Sequence, residues 1–473
     1  MQEYQLPEML RVGLEDLVLQ ILLLDLGEPS IFLTKAVNPP SALAIRNSLK
    51  LLEGLGAVDC DWGDSDNSTE RSDAIVDADG SSCKSLSVTS GLTALGFHLA
   101  TLPVDPRVGK MMIYGALFGC IDPALTIAAS MSARNPFMSP FDKRDEADAA
   151  RKEFATQGSD HLTTLEAFNQ WKNVRRTQGN RAVQSFLRES FLSRMTLFQM
   201  EDLRKQYAKL LIDIGFLPKS FRLDRGQNMR NDECIAAANT NINNTHMIKA
   251  VLCAGLYPNI IVAPKNEKKP IGTCPFQSLK GDVFLHPSTI SFSAEKLDSN
   301  YCCYHEIIRT TKTYVRDCTP VSEFALLLFG GSLKVYHTHG VITIDDWLRF
   351  RIAAKSATLV KHLRAQMERM LLAKIITPEE DIIGSSAGRA LIKAVSTLFE
   401  REIKDSPDGT ETLHRSADNE VKATGQRGHR GRGPQNNSGR GQHGSDNGRG
   451  RSGRGGRGRR NDHSRGRGQG GQR

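Results

Sequence analysis

The chain has 473 residues, 39% of them hydrophobic, enough for roughly three domains of about 100–200 residues each. Its net charge of +9 originates in the tail: residues 425–473 hold 13 Arg, no Lys and 2 Asp, a net +11 that leaves −2 for residues 1–424. Nine cysteines with no CxxC pair read as reduced, packed thiols of a cytoplasmic or nuclear protein. The start, MQEYQLPEML, lacks the basic and apolar regions of a signal peptide, and VLQILLLDL is interrupted by Gln20 and Asp25 far short of a bilayer span. A soluble protein with no membrane partner is therefore expected.

Residues 10–26 put Leu14, Leu17, Val18, Ile21 and Leu22 at helical spacing. Pro39, Pro40 and Ser41 then open a helix carrying Leu43, Ile45, Leu49 and Leu52, which Gly54 and Gly56 close ahead of a strand near Val58. Two helices and a strand suit a winged helix-turn-helix over 1–88. The acidic, Ser-rich stretch 61–84 has no periodicity and is expected to be a disordered insert at the wing tip. The pattern is helical through 89–216, and 217–244 reads as a polar linker. After the helix IKAVLCAGLY come short β-rich runs, NIIVA, DVFLHP, ISFS, CCYHEIIRTTKTYVRDCT and SLKVYHTHGVITI, which predict a small barrel within 245–376. A helix with Leu359, Leu363, Met367, Met370 and Leu371 on one face ends that region. A short helix about 386–402, within 377–404, precedes a disordered tail, 405–473. The expected class is mixed α and β, multidomain.

The quoted segments resemble the C-terminal module of DExH-box (DEAH/RHA-type) ATP-dependent RNA helicases, above all those that unwind structured RNA and quadruplexes. The resemblance runs in order from Met1 to about Ile375. QLPEMLRVGLEDLVLQI and NPPSALAIRNSLKLLEGLGAV are similar to its winged helix. LTALGFHLATLPVDPRVGKMMIYGALFGCIDPALTIAASMSARNPF and SDHLTTLEAFNQW are similar to its helicase-associated, or ratchet, domain. LCAGLYPN, VFLHPSTISF and IRTTKTYVRDCTPVSEFALLLFGG are similar to its OB-fold and the helix leading into it. The resemblance implies RNA, single-stranded or structured, as the partner, together with RecA-like motor domains that bind ATP and magnesium.

Those motor domains are not written in these residues. No G-x-x-x-x-G-K-[ST] occurs: Gly109–Lys110 is followed by Met111 within a helix, and there is no DExH box. GSSAGRA at 384–390 only faintly matches the arginine-finger motif and follows the barrel region. Without amides to cradle phosphates and a lysine to reach them, the stretch is expected to turn over no ATP alone and to hold no cofactor. Two readings follow: part of an ATP-dependent RNA helicase whose motor lies upstream of Met1, or an independent RNA-binding regulator without enzymatic activity.

Alternation over RTTKTYVRD sets Arg309, Thr311 and Thr313 on one sheet face and Lys312, Tyr314 and Arg316 on the other. Two cations flanking an aromatic ring form a platform for single-stranded RNA, the cations neutralising phosphates and the ring stacking on a base. The same pattern also describes a solvated strand with Tyr314 at the barrel rim. The resemblance favours RNA, because the family's OB-fold lies along the RNA path. His286 in HPST is either a strand-end residue bonding local backbone or an RNA contact. Asp105 and Arg107 read as a loop-organising pair, with Lys110 a neighbouring surface cation that faces RNA if the loop borders a central channel. His337 and His339 lack further ligands for a metal, and Cys302–Cys303 lack a catalytic partner. In the tail, arginines flanked by glycine recur at Arg427, Arg430, Arg432, Arg440, Arg449, Arg451, Arg454, Arg457, Arg465 and Arg467. Glycine opposes folding there and leaves each guanidinium able to reach phosphates, bases or protein partners.

Overall fold

The computed structural model describes residues 7–59, 75–76, 82–83, 91–223, 229–264, 270–336, 340–351, 354–377, 380–381 and 384–404. The tail 405–473 and most of the acidic stretch 61–84 lie outside these. Within 61–84 a two-residue ladder pairs β1 (Ile75–Val76) with β2 (Ser82–Cys83).

Three helices open the chain: α1 (Glu15–Leu23), α2 (Pro29–Leu33) and α3 (Ala42–Gly54). Ser41 caps α3 by accepting from the Ala44 amide at 3.2 Å. Pro29 starts the five-residue α2, too short for its apolar spacing to show in the sequence. The strand expected near Val58 is only a single antiparallel bridge to Leu92.

Seven helices follow: α4 (Ala94–Ala100), α5 (Pro106–Leu117), α6 (Ile121–Ser132), α7 (Arg144–Glu153), α8 (Asp160–Thr177), α9 (Gly179–Glu189) and α10 (Arg194–Asp213). The segment 217–244, expected to be a linker, instead carries α11 (Met229–Ala238) and packs back on α6. Asn239 accepts from the Asp122 amide at 2.8 Å, capping α6 from a distant part of the chain. Its neighbour Asn241 donates to the Phe118 carbonyl at 2.8 Å.

Every residue of α12 (Thr245–Leu256) from Met247 onward is buried, and all of these but Lys249 are apolar or glycine. Its closest approach is to α5, where Gly255 is required: a Cβ there would lie 2.7 Å from Met111 and 2.8 Å from the Arg107 carbonyl.

After α12, β3 (Ile260–Val262), β4 (Phe276–Ser278), β5 (Gly281–Leu285), β6 (Tyr301–Arg309) and β7 (Thr313–Val321) close a barrel in the order β3-β4-β5-β7-β6. Neighbours are antiparallel except the parallel pair β5–β7. Ile261, Phe276, Val283, Leu285, Tyr304 and Val315 form part of its separate core. α13 (Glu323–Phe329) leads to β8 (Leu333–Tyr336), β9 (Val341–Ile344) and β10 (Leu348–Arg351), then α14 (Ala354–Ile376) and α15 (Ser386–Lys404). The run SLKVYHTHGVITI therefore belongs to a separate three-stranded sheet, not to the barrel. On α14, Leu363, Met367, Met370 and Leu371 are buried, but Leu359 is 45% exposed and Val360 takes its place.

Lys110 departs furthest from expectation. It is buried, not a surface cation, and its Nζ donates to the Leu55 carbonyl at 2.7 Å, satisfying the end of α3. Burial, then Arg364 nearby, push its amine down to about 7. Below pH 7 the folded and unfolded chains both carry the charge, and the fold bears its desolvation cost. Between about 7 and 10.5 only the unfolded chain is protonated, so this residue makes stability rise with pH. Lys110→Met is expected to raise the melting temperature relative to wild type most at pH 6, with the gap narrowing towards pH 9.5. A gap independent of pH in thermal denaturation contradicts this account.

Candidate nucleic-acid interface

The barrel strand β7 begins only at Thr313. Residues 310–312 form the turn from β6, with the Thr310 amide donating to the Lys312 carbonyl at 3.0 Å. RTTKTYVRD is thus a hairpin rather than one strand, and alternation does not carry across it. The expected grouping arises another way. On β5 and β7, Val283, Leu285 and Val315 point into the barrel, while Phe284 and Tyr314, directly paired, point out. Lys312 reaches from the turn to lie 4.1 Å from the Phe284 ring centroid, close enough for a cation–π contact. Phe284 and Tyr314 are 6.3 Å apart, and His286 meets Tyr314 edge-on at 6.0 Å. Arg316, two residues on, shares the face with Tyr314. Glu306 stands directly opposite Arg316 and Ile308 opposite Tyr314, so a carboxylate partly offsets the cations. Arg309 is exposed but paired opposite Thr313, on the other side of the pleat.

Phe284 was not singled out in the sequence, although alternation in DVFLHP places it outward beside inward Val283 and Leu285. His286 has a structural bond as well as its place on this face. Its Nδ1 accepts from the Ser288 amide at 3.1 Å, and burial, followed by Arg316, lowers its pKa, so the ring is neutral at pH 7.

Past Arg316 the face runs into a cleft of about 330 Å³ between the helical region and the barrel. Arg134, Asn135 and Pro136 after α6, His161 on α8, and His305, Glu306, Arg316 and Asp317 of the β6–β7 hairpin line it. His161 is buried and held by Thr319 at 2.8 Å through Nδ1; burial, then His305, lower its pKa to about 3. Its Nε2 has no hydrogen-bond partner among the described residues. The cleft therefore offers two exposed or half-buried guanidiniums, an unsatisfied imidazole nitrogen and three carboxylates, Glu306, Asp317 and the Asp160 that Arg151 already pairs.

The cleft's wall is joined by Asp160. At the start of α8, Ser159 caps the helix through the Leu162 amide at 3.1 Å. Asp160 Oδ1 accepts from Arg151 and from the Ile290 amide, both at 2.9 Å, and Oδ2 from the Cys318 amide at 2.9 Å. Ser159 and His161 meet Thr319 at 2.7 and 2.8 Å, and Arg151 also donates to the Ser288 carbonyl. Gly158, at φ +62°, makes the turn ahead of the helix, and its carbonyl accepts from Ser291 at 2.7 Å.

Of the other candidates, Asp105 caps α5 and pairs with Arg107 at 2.8 Å, as a loop-organising pair should. Lys110 faces no channel. Cys302 and Cys303 are buried in β6, and burial pushes the Cys302 thiol up to about 12. His337, His339 and the tail arginines lie outside the described residues. Among the described residues, no cluster of three His, Cys, Asp or Glu is placed to hold a metal, and no helix is long and apolar enough to cross a membrane.

Three family models match in order: a ratchet-like helicase associated domain (HA2) over 105–164, an oligonucleotide/oligosaccharide-binding (OB) fold over 248–333, and a C-terminal domain in RNA helicases over 340–401. The chain is a C-terminal module of the DEAH-type helicases. It is 36% identical over 399 residues to the DExH-box ATP-dependent RNA helicase DExH1 of Arabidopsis thaliana, covering 84% of this chain and 35% of that one. It is 36% identical over 413 residues to the ATP-dependent DNA/RNA helicase DHX36 of Homo sapiens, covering 86% and 37%. It thus spans about a third of the length of these relatives.

Replacing Asp160 by Ala leaves a buried guanidinium and two amides without their acceptor, a loss expected to cost about 3–5 kcal/mol. Chemical denaturation of the full chain measures it; a loss under about 1 kcal/mol contradicts the role given to this carboxylate.

Proposed function

We propose that this module grips single-stranded RNA along the barrel face and feeds it through the cleft beneath the ratchet helices, making steps of an ATP-hydrolysing motor directional. The observation that carries the reading is the unbroken run Lys312–Phe284–Tyr314–Arg316 leading to Arg134 and the unpartnered His161 nitrogen. Two adjacent rings flanked by cations suit a strand whose bases are unstacked, and a cleft of this size takes splayed bases rather than an A-form duplex. Residues 1–424 carry a net −2, so attraction there is local to this path. The Arg–Gly tail supplies the long-range, sequence-tolerant attraction to phosphates.

The ATP-dependent activity named for DExH1 and DHX36 is assigned here to motor domains that would act with this module. In this arrangement α1–α3 and the Val58–Leu92 bridge serve as the winged helix between motor and ratchet. The alternative, an RNA-binding regulator with no enzymatic activity, uses the same path without a motor.

The test is RNA affinity of residues 1–404 bearing Lys312→Ala, Tyr314→Ala and Arg316→Ala. Losing one stacked ring costs about 1–3 kcal/mol, so single-stranded RNA binding should weaken by at least that amount while the fold is kept. Unchanged affinity in a folded triple variant contradicts the proposed path.

A further inference from the structure

The β6–β7 ladder breaks where it meets the cleft. Its register pairs Tyr304 with Cys318 and then Glu306 with Arg316, skipping His305 and Asp317. Asp317 takes φ +53°, the left-handed region that Asp tolerates better than most residues. All four residues at the break, His305, Glu306, Arg316 and Asp317, line the cleft. Glu306 and Arg316 stand opposite each other, yet no ion pair joins them among the described residues.

Charge decides what such a cleft can take. Arg134 and Arg316 bring two positive charges, and Glu306 and Asp317 bring two negative ones. Asp160 is matched by Arg151, and the neighbouring Asp105 by Arg107. Burial, then Arg107, lower the pKa of His305, so that ring is neutral at pH 7, as is His161. The charges cancel, which makes a poor phosphate site but one suited to a neutral group carrying both donors and acceptors.

The tautomer of His161 adds a donor. Ser159 Oγ accepts from the Leu162 amide and lies 2.7 Å from Thr319 Oγ1, which lies 2.8 Å from His161 Nδ1. Both hydroxyl hydrogens find an acceptor among the described residues only when Ser159 donates to Thr319 and Thr319 to Nδ1. The ring proton then sits on Nε2, which has no partner among the described residues. A buried N–H without an acceptor carries a desolvation cost that an incoming oxygen relieves.

We propose that the cleft reads one unstacked guanine of the bound strand: Arg316 donates to N7 and O6, His161 Nε2–H adds a donor to O6, and Glu306 accepts from N1–H and the 2-amino group. Guanine presents two acceptors followed by two donors along adjoining edges, the order that a guanidinium beside a carboxylate complements. Adenine sets an amino group where guanine has O6, against the donors, and the pyrimidines lack N7. The proposal rests on the reading of the cleft as part of the RNA path and adds a base preference to it.

The experiment measures affinity of the full chain for oligouridine carrying one central guanosine, inosine, adenosine or uridine. One guanosine per strand keeps stacked guanine tetrads out of the assay, and elevated salt suppresses the tail's contribution. The guanosine strand should bind about fivefold or more tighter than the adenosine and uridine strands. Inosine, which lacks the 2-amino group, should lose part of that preference. Glu306→Gln should remove most of it while leaving the uridine strand's affinity unchanged. Equal affinity for guanosine, adenosine and uridine strands overturns the proposal, as does a full guanosine preference in the folded Glu306→Gln protein. Should Tyr314→Ala still weaken all strands in either case, the barrel path stands without the base preference. A guanosine preference that Glu306→Gln removes, with no effect of Tyr314→Ala on any strand, supports the cleft and sinks the barrel face. Failure of every strand to bind sinks both.

Discussion

The Asp160 carboxylate sits where the first turn of α8 meets the barrel, and three N–H donors from three different segments converge on it: Arg151 from α7, the Ile290 amide and the Cys318 amide of β7. Burial pushes this carboxyl up to about 6, against the pull of Arg151 and the two amides, so it is ionised at pH 7. An ionised group in such a place is tolerable only when it is well hydrogen-bonded, as these three donors make it, and here the helix N-terminus adds its own favourable field. The chain thereby ties two regions separated by up to 158 residues through a single side chain.

The consequence reaches the surface. Because Asp160 fixes β7 from inside, the outward side of the same strand has a defined position relative to α6 and α8. Tyr314 and Arg316 are four and two residues from Cys318, so a shift in the junction moves the ring and the guanidinium together. Thr319 reinforces this by meeting both Ser159 and His161. A cleft formed between two regions is useful to a ligand only if its walls hold register, and these bonds supply that register.

Much of this architecture was legible in the sequence, and the gaps have physical causes. Helical periodicity located α1, α3 and the whole of 89–216, because an apolar stripe is a local property. Alternation recognised β-strands but not their sheet, which is why β8 and β9 were assigned to the barrel: period two says nothing about which edge a strand joins. Lys110 was misplaced for a related reason. A lysine in a helix is usually solvated, and the Leu55 carbonyl that holds it lies 55 residues away. Asp160 was not singled out in the sequence, since its partners lie 9 to 158 residues distant. Alternation within β7 does put Tyr314 and Arg316 on one face, but Lys312 lies in the hairpin turn and meets that face through the Phe284 ring.

The central claim is that RNA follows the barrel face into the cleft. Hydrogen–deuterium exchange of the full chain, with and without a single-stranded RNA, tests it most directly, because each amide reports separately from the tail. The account predicts slowed exchange at 284–286, 312–317 and 134–138 when RNA is bound. Slowed exchange confined to 405–473, with those segments unchanged at saturating RNA, would contradict it.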